Sequence, residues 1–222
     1  MPAWLIDAPG PATGAIGTAE AGDIGAPGIG VAVIGAPSSG APGSGAPGSG
    51  VPGSGAPGSG DATREAAAES LPFEVATFDV VATRFSAHHW HAFAEGIAEM
   101  ARVLKPGGLA LMSDVVSPGV SLLDTWLQTL ELLRDPSHVR DASTAEWDAA
   151  LAAAGLAIER IEHLRLRLDF ATWVARMDTP EPQVTAIRML QARAASAVKD
   201  YFEMEEDSSF TVDTALFVAR KT

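Results

Sequence analysis

The chain has 222 residues, a formal net charge of −13 at pH 7 and no cysteine. The negative charge disfavours nucleic acids and anionic membranes as partners, and the lack of cysteine excludes disulfides and thiolate zinc sites. No uninterrupted apolar run approaches the roughly 20 residues of a membrane span. The N-terminus also lacks the basic and apolar regions of a secretory signal. We therefore expect a cytoplasmic protein without a membrane partner.

The composition divides the chain into two parts. Residues 1–60 contain seventeen of the 22 glycines and no Lys or Arg, and residues 41–60 are four pentapeptides, three APGSG and one VPGSG. Such a segment has too few large apolar groups to offset the entropy of ordering its backbone. We predict a low-complexity, disordered tail or linker over 1–60 and one α/β domain over 61–222. The apolar stretch from Gly28 to Gly35 could form a strand, but no amphipathic helix follows it, so no phosphate-binding loop is predicted there.

The first elements of the domain have clear patterns. Residues 62–69 are helix formers. The continuous apolar centre of 78–85 predicts a strand that is buried on both faces, as in a parallel sheet. Apolar residues at helical spacing predict a helix over 91–104, which the sequence KPGG should end. A second apolar strand is predicted over 109–116. Together these elements indicate a βαβ unit with a right-handed crossover.

The rest of the chain alternates helices and strands. A helix is predicted over 122–134, and another begins near Thr144, with Ser143 or Thr144 as its N-cap, and ends before Gly155. The remaining predictions are a strand over 156–168, helices over 170–177 and 182–204, and a strand over 210–219. The domain is therefore α/β with at least four strands.

Several motifs resemble one family. The segments FDVVATRFSAHHW, ARVLKPGG, SDVVSP and RDPSHVR resemble the class I S-adenosylmethionine-dependent methyltransferases. Within that family they are similar to the small-molecule enzymes of the ubiquinone and menaquinone biosynthesis branch. The resemblance covers residues 67–222 and implies a Rossmann-like sheet of order 3-2-1-4-5-7-6 whose last strand is antiparallel. The four strands predicted above resemble strands 4, 5, 6 and 7. Strands 1 to 3 have no candidates, so the sheet is predicted to be incomplete.

The resemblance implies S-adenosylmethionine as the cofactor. The family's D-x-G-x-G-x-G loop after strand 1 and its acid after strand 2 have no counterpart in this sequence. The family motif D-A-E-x-L-P-F is present as 67–73, with Ala67 in place of the Asp. The cofactor contacts that the resemblance leaves are Ala68 and Glu69 in this motif and Arg84 at the end of strand 4.

Two histidines follow the carboxyl end of strand 4, where ligands lie in open α/β sheets. We predict that His88 or His89 is a catalytic base or an acceptor contact; the alternative is a structural role at the start of the next helix. His91 completes the sequence HHWH, but no metal site is predicted. Asp114 ends strand 5, as a substrate contact or a turn residue.

The segment RDPSHVR is dense in polar groups and is the second candidate region. Arg134, His138 and Arg140 are predicted to bind the substrate as part of a lid over the acceptor site. The alternative is a loop whose polar groups satisfy one another. Asp-Pro at its start favours a turn in either case.

The sequence supports one function and two alternatives. The motifs predict methyl transfer from S-adenosylmethionine to a small-molecule acceptor. The missing glycine loop suggests instead a degenerate, non-catalytic binding module, and this module would self-associate through an exposed strand 4 edge. The absence of the glycine loop could also mean that the N-terminus was read in the wrong frame of a GC-rich gene. A nicotinamide oxidoreductase fits poorly, because no G-x-G-x-x-G lies between a strand and a helix.

Overall fold

The computed structural model describes two short N-terminal strands and the continuous chain from residue 62 to residue 222, with side chains from residue 66 onward. The APGSG repeats, and with them most of the predicted tail, lie outside the described residues. The elements in chain order are β1 Thr18–Gly22, β2 Val31–Ile34, β3 Ala62–Glu65, β4 Phe78–Arg84, α1 Phe93–Val103, β5 Leu104–Val115, α2 Ser121–Arg134, α3 Thr144–Ala153, β6 Leu156–Leu168, α4 Phe170–Ala175, α5 Glu181–Arg193, α6 Ser196–Tyr201 and β7 Phe210–Lys221. In this part of the chain, no helix has the length and apolarity to cross a bilayer.

The strands form one mixed sheet of order β3-β1-β2-β4-β5-β7-β6. Strands β4 and β5 are parallel, and α1 connects them, so the predicted βαβ unit is confirmed. Strand β7 runs antiparallel to both of its neighbours, β5 and β6. The order β4-β5-β7-β6 and the antiparallel last strand are those that the family resemblance implies for strands 4, 5, 7 and 6.

The N-terminal side of the sheet corrects two predictions. Strand β2 lies parallel to β4, with Val31 opposite Val80, so the position of strand 1 is filled and β4 is not an edge. Self-association through β4 stays a prediction that would require β2 to leave. Residues 62–65, which we predicted as part of a helix, are extended because β3 pairs antiparallel with β1. Pairing with another strand overrides the helix propensity of this short segment.

Two element boundaries also differ from the prediction. Strand β5 begins at Leu104, directly after α1, because Phe78 of β4 pairs with Leu104 before a bulge in the register. The KPGG segment therefore belongs to the strand, and Gly107 has φ +76°, which favours glycine. The single helix predicted over 182–204 is two helices, α5 and α6, and the break lies at Ala194 and Ala195.

Apolar side chains cover both faces of the sheet. One core contains α1, α3 and the side chains of Ala110, Met112 and Phe217; here Trp147 of α3 stacks on Phe217 with ring centroids 4.9 Å apart. The other core contains α2, α5 and α6, packed on Phe210 and Val212 of β7. Side chains alternate between the faces along a strand, so a central strand such as β5 supplies both cores. The result is a three-layer α/β arrangement whose carboxyl strand ends stay open for a site.

The start of α3 shows why the local sequence fixes this helix. Ser143 is its N-cap, as predicted: the Ser143 hydroxyl accepts a hydrogen bond from the Glu146 backbone N–H, and the Glu146 carboxylate accepts one from the Ser143 backbone N–H. This reciprocal capping box satisfies two N–H groups that the helix cannot pair. Gly155 follows the helix with φ +73°, as predicted for a residue after a helix end.

Gly96 in the middle of α1 gives the first testable prediction. A Cβ built at Gly96 would lie 2.4 Å from Cε3 of the buried Trp90 ring. We expect Gly96→Ala to destabilise the domain by about 1–3 kcal/mol through overpacking, although alanine is the better helix former by about 1 kcal/mol. Urea denaturation measures this change. Trp90→Leu removes the obstructing ring, so Gly96→Ala should cost less stability in the Trp90→Leu background than in the wild-type chain. A Gly96→Ala variant that is more stable than wild type would contradict the packing.

Candidate active site

The candidate site lies where β4 and β5 end. After Arg84 the backbone turns sharply at Phe85, which has φ +47°, and the Phe85 N–H donates to the Ser113 carbonyl at 2.8 Å. A short 3-10 turn, Ala87–His89, then carries both predicted histidines. A positive φ is strained for a bulky non-glycine residue, and such strain often occurs next to a functional site. Here the positive φ of Phe85 turns the chain so that the following residues, Ser86 and Ala87, contact Asp114 at the end of β5.

Asp114 holds this turn in place. The residue is 2% exposed, and its carboxylate accepts four hydrogen bonds. The backbone N–H groups of Ser86 and Ala87 donate to Oδ2 at 3.1 and 2.8 Å. Oδ1 lies 2.6 Å from Nδ1 of His88 and accepts the Val115 N–H at 2.9 Å. A buried carboxylate needs such partners, and these bonds fix the turn after β4; the role of Asp114 as a substrate contact stays a prediction.

The pair of His88 and Asp114 is an ion pair at neutral pH. Burial alone would lower the pKa of His88, but the charge of Asp114 and the hydrogen bond to it outweigh burial and raise the pKa to about 9. Burial alone would raise the pKa of Asp114, but the His88 charge and the hydrogen bonds lower it. The His88 side chain is 13% exposed. With Nδ1 directed at the carboxylate, the neutral imidazole would carry its lone pair on Nε2.

His89 lies in a different environment from His88. Its Nδ1 is 3.2 Å from the Ser137 carbonyl oxygen and 3.1 Å from the Ser137 hydroxyl oxygen, and its Nε2 is 3.9 Å from Asp135. Burial, followed by the charge of His88, lowers the pKa of His89. His89 is therefore neutral at neutral pH and attaches the turn to the RDPSHVR segment.

The RDPSHVR segment packs against the 3-10 turn Ala87–His89, which we call the histidine turn. The N–H groups of Val139 and Arg140 donate to the His88 carbonyl at 2.8 and 3.1 Å. His138 is buried, its ring centroid lies 5.8 Å from that of His88, and its Nε2 is 2.8 Å from Oε1 of Gln128. Burial and the charges of His88 and His89 lower the pKa of His138 to about 3. His138 therefore packs beside the histidine turn, and its role in substrate binding stays a prediction.

The two arginines of the segment make structural contacts. Arg134 donates to the Trp173 carbonyl, pairs with Glu131 at 3.3 Å and lies over the Trp173 ring. Arg140 lies 3.4 Å from Asp124 and 3.2 Å from Glu146, at the start of α3. Both guanidinium groups are therefore engaged with acids of the chain. Their role in substrate binding stays a prediction.

The three predicted cofactor contacts are Ala68, Glu69 and Arg84. Ala68 is 4% exposed and belongs to the core, and the Glu69 carboxylate accepts the Ala92 N–H at 3.0 Å, just before α1. Arg84 ends β4, and its guanidinium lies 5.1 Å from the Phe85 ring centroid. Glu69 and Arg84 thus flank the histidine turn. The family's glycine loop has no counterpart in this sequence, and the residues between β2 and β3 lie outside the described part.

An open groove of about 510 Å³ is lined by the segment from Leu71 to Thr77. Its Thr77 end precedes β4, and the Thr77 N–H donates to the Val103 carbonyl at the end of α1. The groove therefore lies at the amino end of β4, opposite His88. Ligands in open α/β sheets lie beyond the carboxyl ends of the strands, so we do not place the cofactor in this groove.

Three side chains could in principle offer ligands to a metal. His88, Asp114 and Asp141 each place one ligand atom within 4.8 Å of the others. Asp114, however, already uses its oxygens in four hydrogen bonds, which a metal would have to displace. We therefore interpret the cluster as a hydrogen-bonded acid–base group.

Sequence reasoning missed two buried or half-buried polar residues near His88, namely Asp141 and Gln128. Asp141 is 1% exposed, and burial, with the charge of Glu131, raises its pKa well above the ordinary value. Gln128 of α2 contacts both His138 and the Asp141 backbone. Asp141 directly follows RDPSHVR and could have been included with it. Gln128 is a single polar residue on an amphipathic helix, and no spacing rule would have singled it out.

The comparisons with known proteins give the family. A family model described as a methyltransferase domain matches residues 54–112. The uncharacterised protein YafE of Escherichia coli K12 is 46% identical over 72% of this chain and 77% of YafE. The uncharacterised methyltransferase YcgJ of Bacillus subtilis 168 is 36% identical over 63% of this chain, and the match spans 55% of YcgJ.

Solved structures agree with these relatives. The crystal structure of YcgJ superposes with a TM-score of 0.66 at 34% identity, over 69% of this chain and 68% of that one. A candidate methyltransferase from Bacillus halodurans C-125 superposes with a TM-score of 0.67 at 28% identity, over 70% of this chain and 75% of that one. The sheet, the motifs and these matches together show that the chain belongs to the class I S-adenosylmethionine-dependent methyltransferase family.

Proposed function

We propose that this protein transfers a methyl group from S-adenosylmethionine to a small-molecule acceptor and that His88 removes the acceptor's proton. The single observation that supports this proposal is the contact of 2.6 Å between His88 Nδ1 and Asp114 Oδ1 at the carboxyl ends of β4 and β5. A histidine oriented by a buried carboxylate is the arrangement that a general base requires.

The chemistry of the pair follows from its two ring nitrogens. Asp114 fixes the tautomer with the proton on Nδ1, so Nε2 of neutral His88 can take a proton from an acceptor hydroxyl or an acidic C–H. The imidazolium that forms is stabilised at once by the Asp114 charge. The proton leaves the acceptor for Nε2, and the electron pair that remains on the acceptor is the nucleophile.

Bound S-adenosylmethionine would supply an electrophilic methyl group with a good leaving group. Among the described residues, Glu69 and Arg84 are those that would hold it, because they flank the histidine turn. Methyl transfer is an in-line displacement, so the main task of the protein is to position the acceptor and keep water out.

The alternative of a non-catalytic module is less well supported. Such a module would have no need to keep a buried carboxylate and a histidine in hydrogen-bond contact. Burying these two groups costs free energy, which their mutual contact and the backbone hydrogen bonds to Asp114 offset. Retention of the pair at the ligand-binding end of the sheet therefore favours an enzyme.

The test of this function is a labelling assay with the full chain. Methyl-labelled S-adenosylmethionine is offered with a panel of phenols, catechols and carboxylic acids, and binding of S-adenosylhomocysteine is measured by titration calorimetry. We expect micromolar binding and labelling of at least one acceptor. His88→Ala should lower the rate by about 10²- to 10⁴-fold, the usual contribution of a general base. His89→Ala, which removes a loop contact only, should lower it less.

The exposed His163 on β6 provides the matched control, and His163→Ala should leave the rate unchanged. Equal loss in the His88 and His89 variants would contradict the assignment of the base to His88. A folded wild-type chain that binds neither cofactor form would contradict the proposed function itself.

The pH dependence of the rate gives the next prediction. Only neutral His88 can accept a proton, and its pKa is raised to about 9. With the acceptor that labels best, log(kcat/KM) should therefore rise by one per pH unit and level off near pH 9. Asp114→Asn removes the charge that raises this pKa, so the inflection should move to lower pH while the plateau rate falls. A wild-type profile that levels off near pH 6.5 would show that Asp114 does not raise the pKa of the base.

A further inference from the structure

Gln128 on α2 has all the hydrogen bonds that a glutamine side chain can make. Its Oε1 accepts from the Asp141 N–H at 3.0 Å and lies 2.8 Å from Nε2 of His138. Its Nε2 donates to the Asp141 carbonyl and to Oδ1 of Asp124, both at 2.9 Å. Two acceptor and two donor positions are therefore filled. The amide pairs with both backbone groups of Asp141 as a neighbouring strand would.

These bonds reach His88 through one short segment, residues 135–141. Gln128 holds the end of this segment, and the N–H groups of Val139 and Arg140 donate to the His88 carbonyl from within it. His89 contacts the beginning of the segment at Ser137. The histidine turn is thus fixed from two sides: Asp114 binds it from the sheet, and the 135–141 segment binds it from α2.

The buried atoms around Gln128 show why the amide matters. Nδ1 of His138 and Oδ2 of Asp141 are buried and have no hydrogen-bond partner among the residues that the structure describes. Buried polar atoms of this kind are stable only while their neighbours hold them in place. Without Gln128, the His138 Nε2–H and the Asp141 backbone would lose their partners as well. The segment would then move outward to reach water, and the His88 carbonyl would lose both of its donors.

We propose that Gln128 is a positioning residue that holds the 135–141 segment against the histidine turn and so fixes His88 for proton transfer. In this role Gln128 acts on His88 through the segment and not by direct contact. The inference rests on the proposed function for its catalytic consequence, but its structural part can be tested without any turnover.

Amide hydrogen exchange of the full chain tests the structural part. We compare wild type, Gln128→Ala, Gln128→Glu and the control Thr129→Ala, whose exposed hydroxyl bonds only to its own helix. Gln128→Glu keeps the acceptor oxygen and the size of the side chain but replaces the NH2 group with a second acceptor oxygen, so both donors are lost at neutral pH. In both Gln128 variants the Val139 and Arg140 amides should exchange about tenfold faster or more, while amides of β5 and β7 keep their rates.

Three results would overturn the inference. Unchanged exchange at Val139 and Arg140 would show that the segment does not depend on Gln128. A uniform increase across the chain would show that Gln128 supports global stability only. A change in Thr129→Ala equal to that in the Gln128 variants would show that any substitution at this part of α2 has the effect.

The kinetic part uses methyl-labelled S-adenosylmethionine and the best acceptor of the panel. Misplacement of the base should lower kcat by about 10- to 100-fold in both Gln128 variants and leave the KM for S-adenosylmethionine unchanged. If wild type transfers no methyl group but the two amides respond, the proposed function fails and the positioning role stands. If wild type is active and neither kcat nor the amides respond, the positioning role fails.

Discussion

The site depends on one buried carboxylate, Asp114 at the end of β5. An ionised carboxylate that is 2% exposed is stable only if its oxygens are hydrogen-bonded and its charge is balanced. The backbone of Ser86 and Ala87 supplies the bonds, and His88 supplies the charge. Because the strands are fixed by the sheet, this requirement sets where the chain after β4 must turn. The left-handed conformation of Phe85 is the local strain that accompanies this turn.

A second layer of polar contacts surrounds the pair. The His88 carbonyl accepts hydrogen bonds from the segment that follows α2, and that segment is itself held by a side chain of α2. The turn therefore lies between the sheet and a helix packed on one of its faces. A displacement of His88 would require several buried groups to lose their partners at the same time. Such coupled networks resist small motions, which suits the role of a general base that we propose for His88.

The sequence predicted the chain from Phe78 onward more completely than the N-terminal strands. From Phe78 onward, apolar runs and helix-end signals located each strand and most helices, because these elements bury their own apolar faces. The His88 and Asp114 candidates also came from the sequence, since both follow strands of a βαβ unit. Strand β2 lies within the apolar stretch from Gly28 to Gly35, which the sequence offered as a strand, whereas β1 and β3 escaped prediction because they are extended through pairing with other strands. Tertiary contact, not local preference, decides such short segments.

The polar network could not be predicted in the same way. Gln128 and Asp141 lie thirteen positions apart, and their relation depends on how the chain after α2 folds back. Periodicity predicts which face of a helix is apolar but does not predict the partner of a single polar residue. The assignment of His88 rather than His89 to Asp114 likewise depends on one turn of 3-10 helix.

The central claim is that Asp114 holds His88 as an ion pair with the proton on Nδ1. Nitrogen NMR of the histidine side chains in the resting full-length chain tests it most directly, with His88→Gln used to assign the signals. The account predicts a His88 pKa of about 9 and, above that pH, a neutral ring that carries its proton on Nδ1. A pKa near 6.5, or a neutral ring with the proton on Nε2, would contradict the account.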